Sequence, residues 1–183
     1  MFARRDWLWL GLLSLAAAAL PEHAAAVLEY RRAAILDGEL WRLLSGHFVY
    51  FSTRHALLDG CALVTLAYAL GGGVLPRLVP IGLALSGVLM LVTPEMSVYR
   101  GASGLVMALA GMLLSDLWRT LPGWRPALVA VGALLTGKML ADAMGLTAGL
   151  AGLPEGIHVA WQAHAGGLVL GILAGRINGR EAA

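Results

Sequence analysis

The chain has 183 residues, 59% of them hydrophobic and 13% charged, with a mean hydropathy of +0.77. Soluble domains carry roughly 25% charged residues, so this composition excludes a water-solvated globule and indicates a membrane protein. The formal net charge of +2 is dispersed over single or paired basic residues and marks no nucleic-acid partner. A single cysteine, Cys61, excludes an intramolecular disulfide and reads as a small packed core residue.

Apolar runs of about 15–21 residues, near the length needed to cross a bilayer as helix, recur along the chain. The first starts at Trp7 and is interrupted by Pro21-Glu22-His23; with Ala24 to Leu28 as an extension it predicts a span over 7–27. Arg4 and Arg5 before it and the alanines at 16–19 resemble a secretory signal, but the helix count is consistent only if this segment is kept. Glu29 to Arg54 is the longest polar stretch, and its alternation of polar and apolar residues predicts a long first loop of short helices lying at the interface. Further spans are predicted over 55–70, 78–92, 101–118, 127–144 and 158–177, with a glycine-rich connection before the last. The expectation is an all-α membrane protein, a six-helix bundle forming one domain over residues 1–183.

Charge sets the orientation. With six spans, Arg4, Arg5, Arg77, Arg119, Arg125, Arg176 and Arg180 fall on one side, and Arg31, Arg32, Arg42, Arg54 and Arg100 on the other. The first set is predicted to be cytoplasmic, with both termini, and the long loop outside.

Depth then decides which polar residues can meet. Gly101-Ala102-Ser103-Gly104 opens the fourth span, and His164 lies between one and two turns into the sixth. At 1.5 Å rise per residue both fall within about 10 Å of the outer surface. The two helices run parallel, and both are glycine-lined: Gly101, Gly104 and Gly111 on one, Gly167, Gly171 and Gly175 on the other. A histidine at this depth suits a general base for a serine nucleophile attacking a carbonyl. The bland alternative is a packing serine and a histidine bonded to a backbone carbonyl. His55 opens the second span with Asp59 one turn below it, and these two, with the Ser103 N–H, are candidates to support an oxyanion. Lys138 and Asp142 are four residues apart on the fifth span and read as a mutually neutralising pair, with a proton or ion path as the alternative. His23, His47 and His158 have no ligand spacing with a carboxylate or cysteine, so neither metal nor cofactor is expected.

Taken together, these residues resemble the rhomboid family of intramembrane serine proteases. The likeness rests on six spans, a long first loop with Trp41-Arg42, His55 with a polar residue at 59, Gly101-x-Ser103-Gly104, and His164-x-x-Gly167-x-x-x-Gly171, in the family's order. The resemblance implies Ser103 as nucleophile, His164 as base and His55 with Asp59 as the oxyanion-binding pair. The family usually has Asn at the position of Asp59 and often an aromatic residue at that of Met107. The wording of the first loop, Leu28-Glu29-Tyr30-Arg31-Arg32-Ala33-Ala34-Ile35 and Gly38-Glu39-Leu40-Trp41-Arg42, is similar to the bacterial rhombosortase branch. That likeness implies a Gram-negative inner membrane, a site opening to the periplasm, and membrane-anchored substrates with a C-terminal Gly-Gly-type anchor. Two other functions remain open: an inactive rhomboid-like protein that binds membrane segments, favoured by Asp59 and Met107, and a small transporter using Lys138, Asp142 and the histidines.

Overall fold

A computed structural model describes residues 5–147, 150, 153–154 and 156–181. Arg4 lies outside these, as do residues 148–149, 151–152 and 155 of the glycine-rich connection. Among the described residues six longer helices make the body: α1 (Asp6–Ala18), α5 (Thr53–Ala69), α6 (Leu75–Val92), α7 (Ser103–Thr120), α8 (Arg125–Ala143) and α9 (Trp161–Glu181). Between α1 and α5 stand α2 (Glu22–Leu28), α3 (Arg32–Leu36) and α4 (Arg42–Ser45), the short helices expected of the first loop. By length and composition, α6 and the run Pro122–Ala143 are apolar and long enough to cross a membrane.

Local chemistry sets the helix ends. The helix expected over 7–27 is two helices, because Pro21 holds extended backbone (φ −66°, ψ 152°) between them and cannot continue the hydrogen-bond ladder. The α5 helix starts earlier than predicted, because the Ser52 side chain caps it by accepting from the His55 N–H at 3.1 Å. The start of α6 also precedes the predicted Leu78, with Pro76 in its first turn, where no intrahelical donor is required. Asp6 Oδ2 accepts from the Val74 and Leu75 N–H groups at 2.7 and 3.2 Å, so the first turn of α1 caps α6. Cys61 is exposed, which corrects its reading as core. It shares the outer face of α5 with Leu57, Leu58, Thr65 and Tyr68, at helical spacing.

The buried face of α7 (Leu105, Ala108, Leu109, Met112) meets Leu10 of α1, Leu63 and Ala67 of α5, and Leu78 and Ile81 of α6 in one apolar core. Against α9 it packs by backbone. A Cβ on Gly167 would lie deep inside contact distance of the Gly104 carbonyl oxygen, one on Gly171 equally so for that of Ala108, and one on Gly111 would lie 2.5 Å from the Leu168 carbonyl oxygen. Only hydrogen atoms fit there. Among the described residues of α8, by contrast, only Asp142 is buried.

The all-α expectation missed one small antiparallel pair, β1 (Tyr30–Arg31) with β2 (Val98–Tyr99), in register Tyr30↔Tyr99. Around it the first loop is tied to the chain entering α7. Arg100 donates from Nε to Glu29 at 2.7 Å and from Nη2 to Glu22 at 2.6 Å, with its guanidinium 5.0 Å above the Phe51 ring. Arg42 Nη1 donates to the Ala26 and Glu29 carbonyls at 2.8 and 2.9 Å, and the Gly101 N–H donates to the Gly46 carbonyl. The Glu29 side chain is only 2% exposed. Arg31 also donates to Glu29, on its other oxygen, so removing Arg100 leaves the buried carboxylate one of its two cations, at a cost below the roughly 3–5 kcal/mol of a fully unpaired buried charge. Arg100→Ala is therefore expected to lower the thermal unfolding midpoint markedly in detergent; an unchanged midpoint would show that the pair contributes nothing.

Candidate active site

Backbone geometry at Gly101 shapes the site. Its φ of +130° suits glycine, and a Cβ there would lie 2.8 Å from His55 Nε2 and 3.1 Å from Asp59 Oδ2. The glycine thus lets the His55 ring press against the chain just before α7 begins. Ser103 is the first residue of α7, where the leading N–H groups have no intrahelical acceptor. Beside it, the buried Tyr99 hydroxyl donates to the Gly101 carbonyl at 2.7 Å, and the Ser103 hydroxyl and Gly104 N–H face the same phenol oxygen. Burial, with the Asp59 charge adding to it, pushes the Tyr99 phenol above its ordinary range, so it stays protonated.

Phe51 and Tyr50 hold the His55 ring, the first stacked at 6.1 Å and the second edge-on at 5.5 Å. Its Nδ1 accepts from the Phe51 N–H at 3.5 Å, which leaves the proton on Nε2. That nitrogen is 3.3 Å from Asp59 Oδ2, within ion-pair reach but misaligned: Oδ2 is a buried oxygen with no hydrogen-bond partner among the described residues.

On α9, His164 is 3% exposed, and its Nδ1 is 2.7 Å from Asp142 Oδ2. The other ring nitrogen has no protein partner among the described residues. Asp142 Oδ2 also accepts from Lys138 Nζ at 2.7 Å, and Oδ1 from the Thr147 hydroxyl. The expected Lys138–Asp142 pair is present, but it continues into His164 and does not stand alone. Sequence reasoning missed this link, and the only available signal was a carboxylate on an otherwise apolar helix.

Ser103, His164, His55, Asp59, Met107 and Asp142 all line one cavity of about 1020 Å³. Among the described residues no hydrogen bond joins Ser103 to His164. Gly104 keeps their helices close, since a Cβ on it would lie 3.2 Å from the Ala163 carbonyl. His158 is exposed at the cavity wall, and His23 is exposed on α2. His47 stands apart: it is fully buried, with Nε2 bonded to the Gly82 carbonyl and the Ser86 hydroxyl, and burial pushes its pKa down to about 4. It is a neutral packing residue at physiological pH.

Chemically, the cavity combines a hydroxyl at a helix N-terminus, an imidazole with one nitrogen tied back to a carboxylate, and a second imidazole presenting an N–H. Comparison with known families matches the Rhomboid domain over residues 37–181. No curated protein matches the chain.

Proposed function

We propose, because this chain belongs to the rhomboid family of intramembrane serine proteases, that it is itself an active serine endopeptidase. Membership makes it an integral membrane protein. The observation that carries the step from family to activity is the opening of Ser103 and His164 onto one cavity from helices in backbone contact.

In this reading the Ser103 Oγ attacks a peptide carbonyl of a membrane-anchored substrate while His164 Nε2 takes its proton. The tetrahedral oxyanion is held by the N–H of Ser103 and by His55 Nε2–H. His164 then gives the proton to the leaving amine as the C–N bond breaks, and water hydrolyses the acyl-enzyme. Gly101 and Gly104 serve this by letting the His55 ring and the α9 backbone come close to the start of α7. The apolar runs and the arginine pattern support six spans with both termini in the cytoplasm, and the resemblance of the first loop to the rhombosortase branch supports an inner membrane with the site opening to the periplasm. The wording of the first loop supports substrates with a C-terminal Gly-Gly-type anchor.

The proposal is tested with a fluorophosphonate probe on purified protein. Mass spectrometry should find the adduct on Ser103, and co-expression with a Gly-Gly-anchored protein should give a shortened product. Absence of both would favour the second reading, an inactive membrane-segment binder, which draws support from the unpartnered Asp59 oxygen beside the oxyanion position.

His55→Ala should slow cleavage by on the order of a hundredfold, as for loss of one oxyanion donor. Asp59→Asn should preserve or raise it, because an amide can donate where a carboxylate only accepts. A tenfold fall in Asp59→Asn, with folding intact, would instead make the carboxylate the group that orients His55.

A further inference from the structure

We propose that Asp142 is the positioning residue for His164, making the site a Ser-His-Asp triad. The inference rests on the reading of Ser103 and His164 as nucleophile and base. Its starting point is the placement of α8, whose described residues are otherwise half-buried or exposed while Asp142 is 3% exposed. An apolar helix that turns one carboxylate inward must satisfy it there.

Asp142 is satisfied on both oxygens. Oδ1 accepts from Thr147, and Oδ2 from Lys138 and from His164 Nδ1. An ionised carboxylate can only accept, so its contact with Nδ1 places the imidazole proton on that nitrogen. Nε2 is then the bare nitrogen, the one a general base needs. When Nε2 takes the Ser103 proton, Nδ1 keeps its own and Asp142 stays unprotonated, facing the new imidazolium charge at 2.7 Å. Lys138 supplies the countercharge that a buried carboxylate requires, and Thr147 fixes the plane of the group. The residues that a sequence reader assigns to neutralisation in lipid therefore hold the base in its working tautomer.

A purely structural tether would predict the same hydrogen bond, so the test reads the tautomer and the chemical step. Full-length protein with ¹⁵N-labelled histidine in detergent should show the His164 proton on Nδ1. In Asp142→Asn the amide can donate to Nδ1 and move that proton to Nε2. The maximal rate of fluorophosphonate labelling at Ser103 should then fall by a factor on the order of a hundred to ten thousand, the upper figure being that for the equivalent change in a serine protease triad. Half-saturation by the probe should be unchanged, and Asp142→Glu should recover part of the rate. Wild-type protein with the proton on Nε2 overturns the proposal without any variant, which covers the case in which Asp142→Asn does not fold. A folded Asp142→Asn that labels at the wild-type rate, or that changes only half-saturation, also overturns it. Ser103→Ala and His164→Ala serve as controls. If both are dead while Asp142→Asn is active, only the role of Asp142 fails; if Ser103→Ala still cleaves, the protease reading fails first.

Discussion

Ser103→Ala and His164→Ala should each abolish cleavage of a membrane-anchored substrate, and the double variant should be no slower than either. Nucleophile and base act as one unit: without a base the hydroxyl is a weak nucleophile, and without the hydroxyl the base has no proton to take. In serine proteases, losing either member costs on the order of a millionfold in the chemical step. The loss should fall on turnover and leave substrate binding almost untouched, because both groups are small and much of the 1020 Å³ cavity is lined by other residues. Undiminished cleavage by purified Ser103→Ala would end the protease reading. If the two single losses multiply in the double variant, Ser103 and His164 act separately.

The second large effect is mechanical. Gly171→Ala adds one carbon that would lie deep inside contact distance of the Ala108 carbonyl oxygen, and Gly167→Ala does the same at the Gly104 carbonyl oxygen. Neither obstacle is the end of a flexible side chain, so α7 and α9 must part. Ordinary overpacking costs about 1–3 kcal/mol; a clash with backbone on both helices belongs at or above the top of that range. Both variants should unfold at clearly lower temperature, and Gly167→Ala should also slow catalysis, being one turn from His164 and set against the residue after Ser103. Gly137→Ala on α8 is the control, with nothing within 4 Å of its added carbon. It should be neutral or slightly stabilising. Equal melting of all three would show that the close approach carries no energetic weight.

The glycines were legible in the sequence because close helix contact leaves a spacing of four, and Gly167, Gly171 and Gly175 keep it. The bringing together of Ser103, His164, His55 and Asp59 at one cavity was legible from depth, which rise per residue converts from sequence position. What depth does not encode is rotation about the helix axis. Cys61 sits in an apolar run yet faces outward, and Asp142 sits in another yet faces His164; both are questions of azimuth, which the neighbouring helices decide. The pairing of Tyr30 with Tyr99 was hidden for a different reason. A two-residue ladder has no periodicity of its own, and its partners are far apart in the chain. Pro21 was visible, but an interruption in an apolar run does not say whether the chain kinks or stops.

That two-residue ladder and the Glu29–Arg100 pair beside it, 71 residues apart in sequence, divide the molecule in time as well as in space. They close a ring that contains α5 and α6, and the entropy of closing so long a loop grows only logarithmically with its length. Every group needed for the clasp has been synthesised once Arg100 has emerged, before any residue of α9 exists. Chains made from the N-terminus tend to fold in that order. The ring can therefore buckle first and fix the approach to Ser103, leaving the helix that carries the imidazole as the last part to dock, along a track of glycines already waiting for it.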